Sequence, residues 1–493
     1  MRTRKHALAA AFLAALLPVF AGGCSMAPKY VQPQPPLPAD WTTGDTAKST
    51  PGAKVQDWRT VIADEPMKRL VDLAIANNRD LRVAALNIEK AQAQYQIQRA
   101  DLFPKIDATA GANMQRTPAK LSSSRTAVTS RAYSVGLGFS AFELDLFGRI
   151  QSLKDEALET FLATEAAKRS VELSLVAEVA TAYLTLAADR EQLSLAKEIL
   201  ETEQASYEIV KYRFDFGVSN ELELSQAQTT VDTARVNVAN YTAKVTADEN
   251  NLSVLVGMPL TAEMLPAKTL AEVTPLNPVP AGLPSEVLTR RPDVLAAEHQ
   301  LKAANADIGA ARARYFPSIG ITSSIGFASS QVNDLFNAPA GAWSFVPQLT
   351  LPIFHSGAIR AGVKASEAQR DIMVATYEKI VQAAFKEVSN ALAQAASLSD
   401  QVEAQTSLTK ATGKSYELAT LRYENGVDSY LTKLDSQRSF ASSRQGLIST
   451  RLSRLTNTLT LYKALGGGWS SEQTGDKEPA TDAAQGVKVA EAK

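Results

Sequence analysis

The chain has 493 residues, of which 45% are hydrophobic and only 7% aromatic. Its 51 Lys and Arg residues nearly balance its 52 Asp and Glu residues, so the charge does not indicate nucleic acid as the main partner. The single cysteine, Cys24, excludes an intramolecular disulfide. A composition with few aromatic residues and abundant Ala and Leu is typical of long helices rather than of a large sandwich core.

The amino terminus has the three parts of an export signal. Basic residues stand within the first six positions, an apolar run covers residues 7–20, and small residues occupy positions 21–23. The apolar run is shorter than the roughly 20 residues that a spanning helix requires. We therefore predict that residues 1–23 form a signal peptide.

Cys24 directly follows the small residues, as in the signals of bacterial lipoproteins. Ala21 departs from this pattern, which usually has Leu three residues before the cysteine, whereas Ser25 fits sorting to the outer membrane. We predict a covalent lipid on Cys24, namely a diacylglycerol and an N-acyl group. The alternative is an ordinary secreted protein with an incidental cysteine. No later stretch of the sequence approaches a transmembrane helix, so a mature chain that spans a membrane must do so with strands.

Two parts of the chain carry the same motifs in the same order, which indicates an internal repeat. The matching segments are 78–81 with 291–294, 101–106 with 314–319, 213–218 with 422–427, and 255–257 with 464–466. The offsets stay between 209 and 213 residues, as these segment numbers show. The predicted organisation is an extended N-terminal, equatorial segment at 24–66, repeat 1 at 67–277, repeat 2 at 278–469, and a polar, disordered tail at 470–493.

Each repeat is predicted to contain a helix, two strands, a long helix and a return helix. In repeat 1 the first helix covers 67–103, and residues 149–216 contain neither Gly nor Pro. A helix over 149–216 would extend for roughly 100 Å. The return helix is expected at 218–256, and repeat 2 has the equivalent long and return helices at 363–425 and 427–465. Apolar residues recur every seven positions, as at Val179, Leu186, Leu193, Leu200, Tyr207 and Phe214, which predicts left-handed coiled-coil packing.

Four segments alternate between apolar and small or polar residues, a period that indicates strands. They lie at 106–116, 132–147, 318–331 and 343–354. Segments of about ten residues fit a tilted transmembrane strand. Four strands cannot close a barrel, and an open edge is not tolerated in lipid, so the chain must oligomerise through its strands. Two copies would supply eight strands and three copies twelve; the pattern does not choose between them.

Several motifs together resemble the TolC-like outer-membrane factors, most closely the OprM-type lipoproteins of resistance-nodulation-division (RND) efflux systems. These motifs occupy residues 28–33, 143–148, 288–294, 423–428 and 461–467. The resemblance implies an α+β membrane protein: a trimeric, 12-stranded outer-membrane β-barrel with four strands per subunit, continued by a long periplasmic α-helical coiled-coil barrel. It also implies a passive exit duct for small molecules such as drugs, a periplasmic adaptor (membrane fusion) protein and an inner-membrane RND pump as partners.

The resemblance also places a periplasmic gate at the inner helix turns. By matching motif positions, the gate residues are Tyr423, Asp428, Asp435, Glu223 and Asp215. Related channels have an arginine that pairs across the gate where this chain has Asp428, so the contacts that close the gate differ in this chain. The turns that contact the adaptor correspond to Gly217, Val218, Gly426 and Val427. The alternative is that these acids are solvated residues at helix ends and that the turns are plain linkers.

We predict that the protein is not an enzyme, because no motif for nucleophilic, phosphate or metal chemistry is present. The three histidines, His6, His299 and His355, do not form a ligand set, and no cofactor other than the covalent lipid is expected. Two other functions remain open: a type I-like secretion channel on the same fold, and a non-conducting lipoprotein that tethers the layers of the envelope. A tether would not need four amphipathic strands.

Overall fold

The computed structural model describes residues 25–34, 38, 57–266, 269–270, 273, 276–277 and 285–467. The predictions for the signal peptide, for Cys24 and for the tail at 470–493 lie outside these residues. Contacts between Cα atoms divide the chain into two units, each built from segments distant in sequence. The sheet unit combines residues 1–34, 85–167 and 295–379, and the helical unit combines residues 35–84, 168–294 and 380–493.

Helices and strands follow one another in the predicted order. The elements are α1 (Trp58–Val61), α2 (Glu65–Asn77), α3 (Arg79–Ala100), β1 (Asp107–Thr117), β2 (Val128–Leu144), α4 (Arg149–Asp215), α5 (Glu221–Val256), α6 (Pro292–Ala313), β3 (Ser318–Ser329), β4 (Gly341–Thr350), α7 (Ala358–Glu424) and α8 (Tyr430–Ala464). Helices α4 and α7 each have 67 residues. Helix, two strands, long helix and return helix therefore occur twice along the chain.

The first predicted helix, 67–103, is wrong in one respect, because the chain breaks at Asn78 into α2 and α3. Asn78 adopts an extended backbone conformation, and its side-chain oxygen accepts a hydrogen bond from the backbone of Leu81 at 2.9 Å. Its side-chain nitrogen donates to the carbonyl of Leu255 at 2.8 Å. Asn78 thus caps the start of α3 and ties this break to the end of α5.

The strands form one antiparallel sheet in the order β1-β2-β3-β4. The predicted strands are present with shifted ends: β2 begins at Val128 rather than at residue 132, and β4 begins at Gly341 rather than at residue 343. A bulge interrupts β2 between Phe139 and Phe142, where Ala141 has a positive φ of 53°. Strands β1 and β4 are the two edges of this sheet.

Side chains alternate along each strand and paired residues share a face, so the sheet has two faces. The faces differ in character, with exceptions at Arg131, Ser323 and Val346. One face, the apolar face, carries Tyr133, Val135, Leu137, Phe139, Ile319, Ile321, Ile325, Phe327, Trp343, Phe345 and Leu349. The other, the small-residue face, carries Thr109, Gly111, Asn113, Ser134, Gly136, Gly138, Ser324, Gly326, Ala328, Ser344 and Gln348. The apolar face remains open in the single chain, where Trp343 is 79% exposed.

Glycines let β2 and β3 approach closely on the small-residue face. A Cβ atom on Gly136 would lie 2.8 Å from the carbonyl oxygen of Ile325, and one on Gly138 would lie 2.5 Å from that of Ser323. A Cβ on Gly326 would overlap the carbonyl oxygen of Val135. Contacts this short show that β2 and β3 leave no room for a side chain at these positions.

We expect Gly326→Ala to impair formation of the sheet, because the new methyl group has no room against β2. The amount of folded protein recovered from membranes should fall several-fold, measured as the heat-modifiable band on a semi-denaturing gel. Gly341→Ala is the matched control, since a Cβ at this glycine of the same sheet meets nothing within 4 Å. Equal yields of the two variants would contradict the role assigned to the glycines.

The core of the helical unit is built around α2 and the middle of α4. Met67, Val71, Val179 and Leu186 are fully buried there. The heptad pattern predicted this burial for Val179 and Leu186, whereas Phe214 near the end of the same stripe is 37% exposed in the single chain. The apolar stripe is therefore covered in the core and uncovered towards the helix turn.

Arg291, from the motif at 288–294, is buried in the helical unit with only 8% of its surface exposed. Its guanidinium group donates to both carboxylate oxygens of Asp293 at 3.0 and 2.7 Å and to Glu387 on α7 at 3.0 Å. It also donates to the carbonyl of Ala464 at the end of α8 at 2.7 Å. A Cβ on Gly466, which has φ of 87°, would lie 3.2 Å from Cγ of Arg291. Two motifs about 170 residues apart in the chain thus meet at this one side chain.

Helix α4 contains an 18-residue stretch that is long and apolar enough to cross a membrane, although no stretch after the signal peptide was predicted to approach a transmembrane helix. It is the one such helix among the residues that the structure describes. Over half of this stretch, 56%, is buried inside the protein. Core helices of soluble domains have the same property, so this stretch is weak evidence for a membrane span.

An acidic pair lies in the helical unit between α4 and α5. Desolvation, and then the neighbouring charge of Asp189, raises the pKa of Asp248 to about 6. A raised pKa in the folded state means that ionised Asp248 lowers the free energy of unfolding above pH 6. This cost shrinks as the pH falls from 6 towards the ordinary carboxyl pKa of 3.8 and is gone only below that value, where the carboxyl group is protonated in both states.

We expect Asp248→Asn to raise the free energy of unfolding at pH 7.5 by about 1 kcal/mol, after discounting the shift for solvent screening. At pH 3, below the ordinary carboxyl pKa of 3.8, the variant and the wild type should be equally stable. Denaturant titrations at the two pH values measure this difference. Asp232→Asn, on the exposed side of the same helix, is the control and should show no pH-dependent gain. A gain that is equal at both pH values would contradict the assignment to the ionised carboxylate.

Candidate functional site at the two helix turns

Two turns reverse the long helices, one between α4 and α5 and the other between α7 and α8, and both close in the same way. In the first turn the amide of Val218 donates to the carbonyl of Arg213 at 2.8 Å, and Gly217 has φ of 68°. In the second, the amide of Val427 donates to the carbonyl of Arg422 at 2.9 Å. This is the Schellman arrangement, in which a residue with positive φ ends the helix. The structure thus explains the matching sequence motifs.

The next helix starts with a side-chain cap in each turn. The side chain of Asn220 accepts a hydrogen bond from the amide of Glu223 at 3.0 Å, and Ser429 accepts one from the amide of Thr432 at 3.3 Å. The hydroxyl of Ser219 also donates to the carboxylate of Glu223. These caps fix the geometry of both turns with local contacts.

Apolar side chains are exposed at both turns, and more of them at the first. Val218 and Val427, the two predicted adaptor-contact valines, are each more than 60% exposed. The first turn adds Phe216, also exposed, whose ring centroid lies 4.5 Å from that of Tyr212. The glycines Gly217 and Gly426 have open space where a Cβ would stand. The structure therefore places the four predicted contact residues on the surface.

Asp428, a predicted gate residue, is paired within its own hairpin. Arg422 donates to its two carboxylate oxygens at 2.6 and 3.0 Å. The hydrogen bonds and charge of Arg422 lower the pKa of Asp428, so the pair stays ionised above the ordinary carboxyl pKa and is lost only in stronger acid. Acidification from pH 7 to pH 5 is thus expected to leave this contact intact.

Tyr423 joins the two hairpins of one chain. Its hydroxyl accepts a hydrogen bond from Arg213 at 2.6 Å, and the Arg213 guanidinium lies 5.4 Å from the centre of its ring. Burial raises the pKa of Tyr423, so the phenol stays protonated at neutral pH. Tyr430 and Leu434 of the second hairpin pack beside it with Val210 of the first. This contact, called here the Arg213–Tyr423 latch, holds the two turns together.

The remaining predicted gate residues do not form one cluster. Glu223 lies near the latch, where its charge affects Tyr423. Asp435 is exposed, with Arg438 of the next helical turn at 4.0 Å, and Asp215 is exposed. Of the five predicted residues, the structure therefore groups Tyr423 with Glu223 and leaves Asp428, Asp435 and Asp215 in separate local surroundings.

The basic partners at these turns were not among the residues predicted from the sequence. Arg213 and Arg422 stand at matching positions of the two repeats, and this match was the available signal. A third basic residue, Lys433, is half-buried between the hairpins with its amine 3.3 Å from the hydroxyl of Ser206. Near it, burial raises the pKa of Glu203, whose carboxylate is buried. Pattern alone could not reveal the contacts of Arg213 and Lys433, because they join residues about 210 to 230 positions apart. Arg422, by contrast, pairs with Asp428 only six positions away.

Within the described parts of the chain, no group of three or more His, Cys, Asp or Glu side chains is placed to hold a metal ion. The site instead consists of helix turns, exposed apolar side chains and ion pairs. These features favour contacts between helices.

A four-stranded sheet with one apolar and one small-residue face, in a chain with two hairpins of very long helices, is the fold of an outer-membrane channel protein. The same fold is found in the open state of the Neisseria gonorrhoeae MtrE outer membrane channel. The MtrE structure matches this chain with a TM-score of 0.81 and 35% sequence identity. The match covers 90% of this chain and 98% of the MtrE chain.

The model of the family described as outer membrane efflux protein matches residues 70–258 and 283–467, and the chain belongs to this family. Two relatives from Pseudomonas putida are each 47% identical over 459 residues, which is 92% of this chain and 94% of theirs. They are the antibiotic efflux pump outer membrane protein ArpC and the toluene efflux pump outer membrane protein TtgC. Membership confirms the resemblance inferred from the motifs and indicates an outer-membrane location.

Proposed function

We propose that the protein is the passive exit duct of a tripartite RND-type efflux system and carries small molecules from the periplasm to the exterior. The observation that supports this most strongly is the division of the sheet into an apolar and a small-residue face. Transmembrane strands alternate in this way between lipid and a polar interior.

The open edges of the sheet support assembly into a trimer. Strands β1 and β4 each have one unpaired edge in the single chain, and an unpaired edge is costly in lipid. Three copies would pair β4 of one subunit with β1 of the next and close a barrel of twelve strands. Their long helices would form a tunnel across the periplasm, and the two repeats at 67–277 and 278–469 would give it near-sixfold symmetry.

Apolar residues on the helices support the same assembly. Val83, Leu86 and Ile97 on α3, with Val236 and Val254 on α5, are all more than half exposed in the single chain. Exposed apolar side chains repeated along helices favour contacts with other subunits.

The gate is proposed at the helix turns, with the Arg213–Tyr423 latch and the Arg422–Asp428 pair as its main contacts. Asp435, Asp215 and Glu223 would then add acidic groups to the constriction. The exposed residues at Val218 and Val427 would receive the tips of the adaptor's helices.

Lipid anchoring completes the proposal: residues 1–23 would be removed and Cys24 would carry a diacylglycerol and an N-acyl group. Substrates of the kinds that the two relatives' names state, antibiotics and toluene, would suit such a system. Mass spectrometry of the purified chain tests the anchor by the added mass on the N-terminal peptide.

The function is tested in cells that retain an adaptor and an RND pump but lack their own outer-membrane channel. We expect expression of the protein to restore resistance to an antibiotic that the pump exports. Failure with every compatible adaptor, while export of a protein substrate is restored in a strain with a type I secretion system, would favour the secretion channel instead. Failure of both, with the protein present in the outer membrane, would favour the tethering lipoprotein.

A further inference from the structure

Basic side chains gather at the end of the sheet that lies away from the helices. Strand β1 follows α3 and β2 leads into α4, so the connection between these two strands, residues 118–127, lies at the opposite end of the sheet. Residues 108–142 carry four basic side chains and no acidic one. The four form what is called here the basic patch, and all are exposed: Arg116, Lys120, Arg125 and Arg131. This end of the sheet is therefore positively charged.

A second feature of the basic patch is its lack of acidic partners. Within the part of the chain that the structure describes, no acidic side chain forms an ion pair with any of its members. The neighbouring connection, between β3 and β4, contains Asp334, whose carboxylate accepts a hydrogen bond from the side chain of Asn337 at 3.0 Å. Like charges that are held together without partners repel one another and attract anions from outside the protein. The basic patch therefore favours an anionic ligand.

Two members of the basic patch lie on the apolar face of the sheet. Strand pairing sets Arg131 opposite Met114 and Arg116 opposite Thr129, and both pairs share the face that carries Tyr133. Arg116 and Arg131 are therefore diagonal neighbours on adjacent strands, with Cβ atoms roughly 7–8 Å apart. Two guanidinium groups on long side chains at this spacing can both contact one phosphate group.

The position of these arginines along their strands matches the edge of a membrane. A tilted transmembrane strand has about 9–11 residues, and Arg116 is close to the end of the 11 residues of β1. Tyr133 precedes Arg131 towards the middle of the same face, and tyrosine rings with a wet hydroxyl are typical of membrane interfaces. An arginine on a lipid-facing strand is tolerated at this depth but not in the middle of the bilayer.

We propose that Arg116 and Arg131, with Lys120 and Arg125 in the connection beyond them, bind the phosphate groups of glycolipids in the outer leaflet of the outer membrane. A soluble phosphate would meet only the charges. A phosphorylated glycolipid would also lay its acyl chains against the apolar face below the arginines, so the arrangement favours the lipid. This inference rests on the proposed function, because it takes the apolar face as the side of the sheet that meets lipid.

The test measures how tightly the full-length protein, in a nonionic detergent, binds purified lipid A that carries two phosphate groups. The variant that combines Arg116→Gln and Arg131→Gln should bind about thirtyfold more weakly than the wild type, since each basic group near anionic lipid contributes about fivefold. High salt should reduce this difference, because exposed charges are screened. The matched control combines Lys90→Gln and Arg99→Gln, which removes two exposed basic groups from α3 of the same unit. It should weaken binding by less than about twofold.

Lipid A from which the phosphates have been removed should bind the wild type and the double arginine variant equally weakly. A semi-denaturing gel shows that each variant is folded. Equal binding of phosphorylated lipid A by the wild type and the double arginine variant would overturn the proposal, as would equal losses in that variant and in the control. Displacement of the lipid by inorganic phosphate at the same concentration would assign the basic patch to a soluble anion and would overturn the proposal too.

Restoration of drug resistance in cells that lack their own channel separates this inference from the proposed function. Resistance restored by the wild type, together with unchanged lipid binding by the double arginine variant, would retain the exit duct and overturn the basic patch as a lipid site. No restored resistance, together with the expected loss of lipid binding, would retain the lipid site and overturn the exit duct.

Discussion

Replacing Arg291 with alanine is expected to lower the free energy of unfolding by about 3 kcal/mol, the largest effect of any single substitution considered. The change removes four hydrogen bonds from a side chain that is almost fully buried, and it leaves the carbonyl of Ala464 without its partner. Losing one member of a buried ion pair costs about 3–5 kcal/mol. Because the carboxylates of Asp293 and Glu387 are partly exposed and can be hydrated, we expect the lower end of that range.

The adjacent arginine gives a matched control. Arg290 belongs to the same motif but is exposed, so Arg290→Ala should change stability by less than about 0.5 kcal/mol. Thermal unfolding of the purified proteins in one detergent compares the two variants. Arg291→Lys should recover only part of the loss, because an amine cannot replace a planar group that binds three partners. Equal melting temperatures for the Arg290 and Arg291 variants would contradict the structural role of Arg291.

Removing the hydroxyl of Tyr423 is expected to increase leakage through the resting channel about tenfold. Tyr423→Phe keeps the ring in its packing but deletes the acceptor for Arg213. A hydrogen bond to a charged group is worth about 1.5–3 kcal/mol, and 1.4 kcal/mol changes an equilibrium tenfold. Arg213→Ala should have a similar effect, because it removes the other partner of the same bond.

Uptake of a large hydrophilic dye by intact cells measures this leakage. Tyr212→Phe is the control, because Tyr212 is exposed on the first hairpin and its ring packs on Phe216. Uptake that rises equally with both substitutions, or with neither, would show that the Arg213–Tyr423 latch does not hold the channel closed.

The sequence predicted the elements well where a simple period operates over many residues. The seven-residue stripe through Val179 and Leu186 located the long helix, and the alternation around Leu137 and Ile325 located the strands. The absence of Gly and Pro between residues 149 and 216 predicted the ends of α4 to within one residue. Such signals are local, so one sequence suffices to read them.

Other features depended on contacts between distant residues and were not predictable from one sequence. At the break, the side chain of Asn78 donates to the carbonyl of Leu255, nearly 180 residues away. A single polar residue within a periodic apolar pattern does not indicate such a distant contact. The Arg213–Tyr423 latch joins positions 210 apart. The motif around Arg291 was recognised as a signature, yet its reason, a buried ion pair that also binds the end of α8, appeared only in three dimensions.

The central claim is that this chain forms a gated duct, and conductance in planar lipid bilayers tests it most directly. Wild-type protein would be compared with a variant that combines Asp428→Ala and Asp435→Ala. We predict little current through the wild type and frequent large openings of the variant. Absence of current from both, while a gel shows that the inserted trimers are intact, would contradict the claim and favour a tethering lipoprotein.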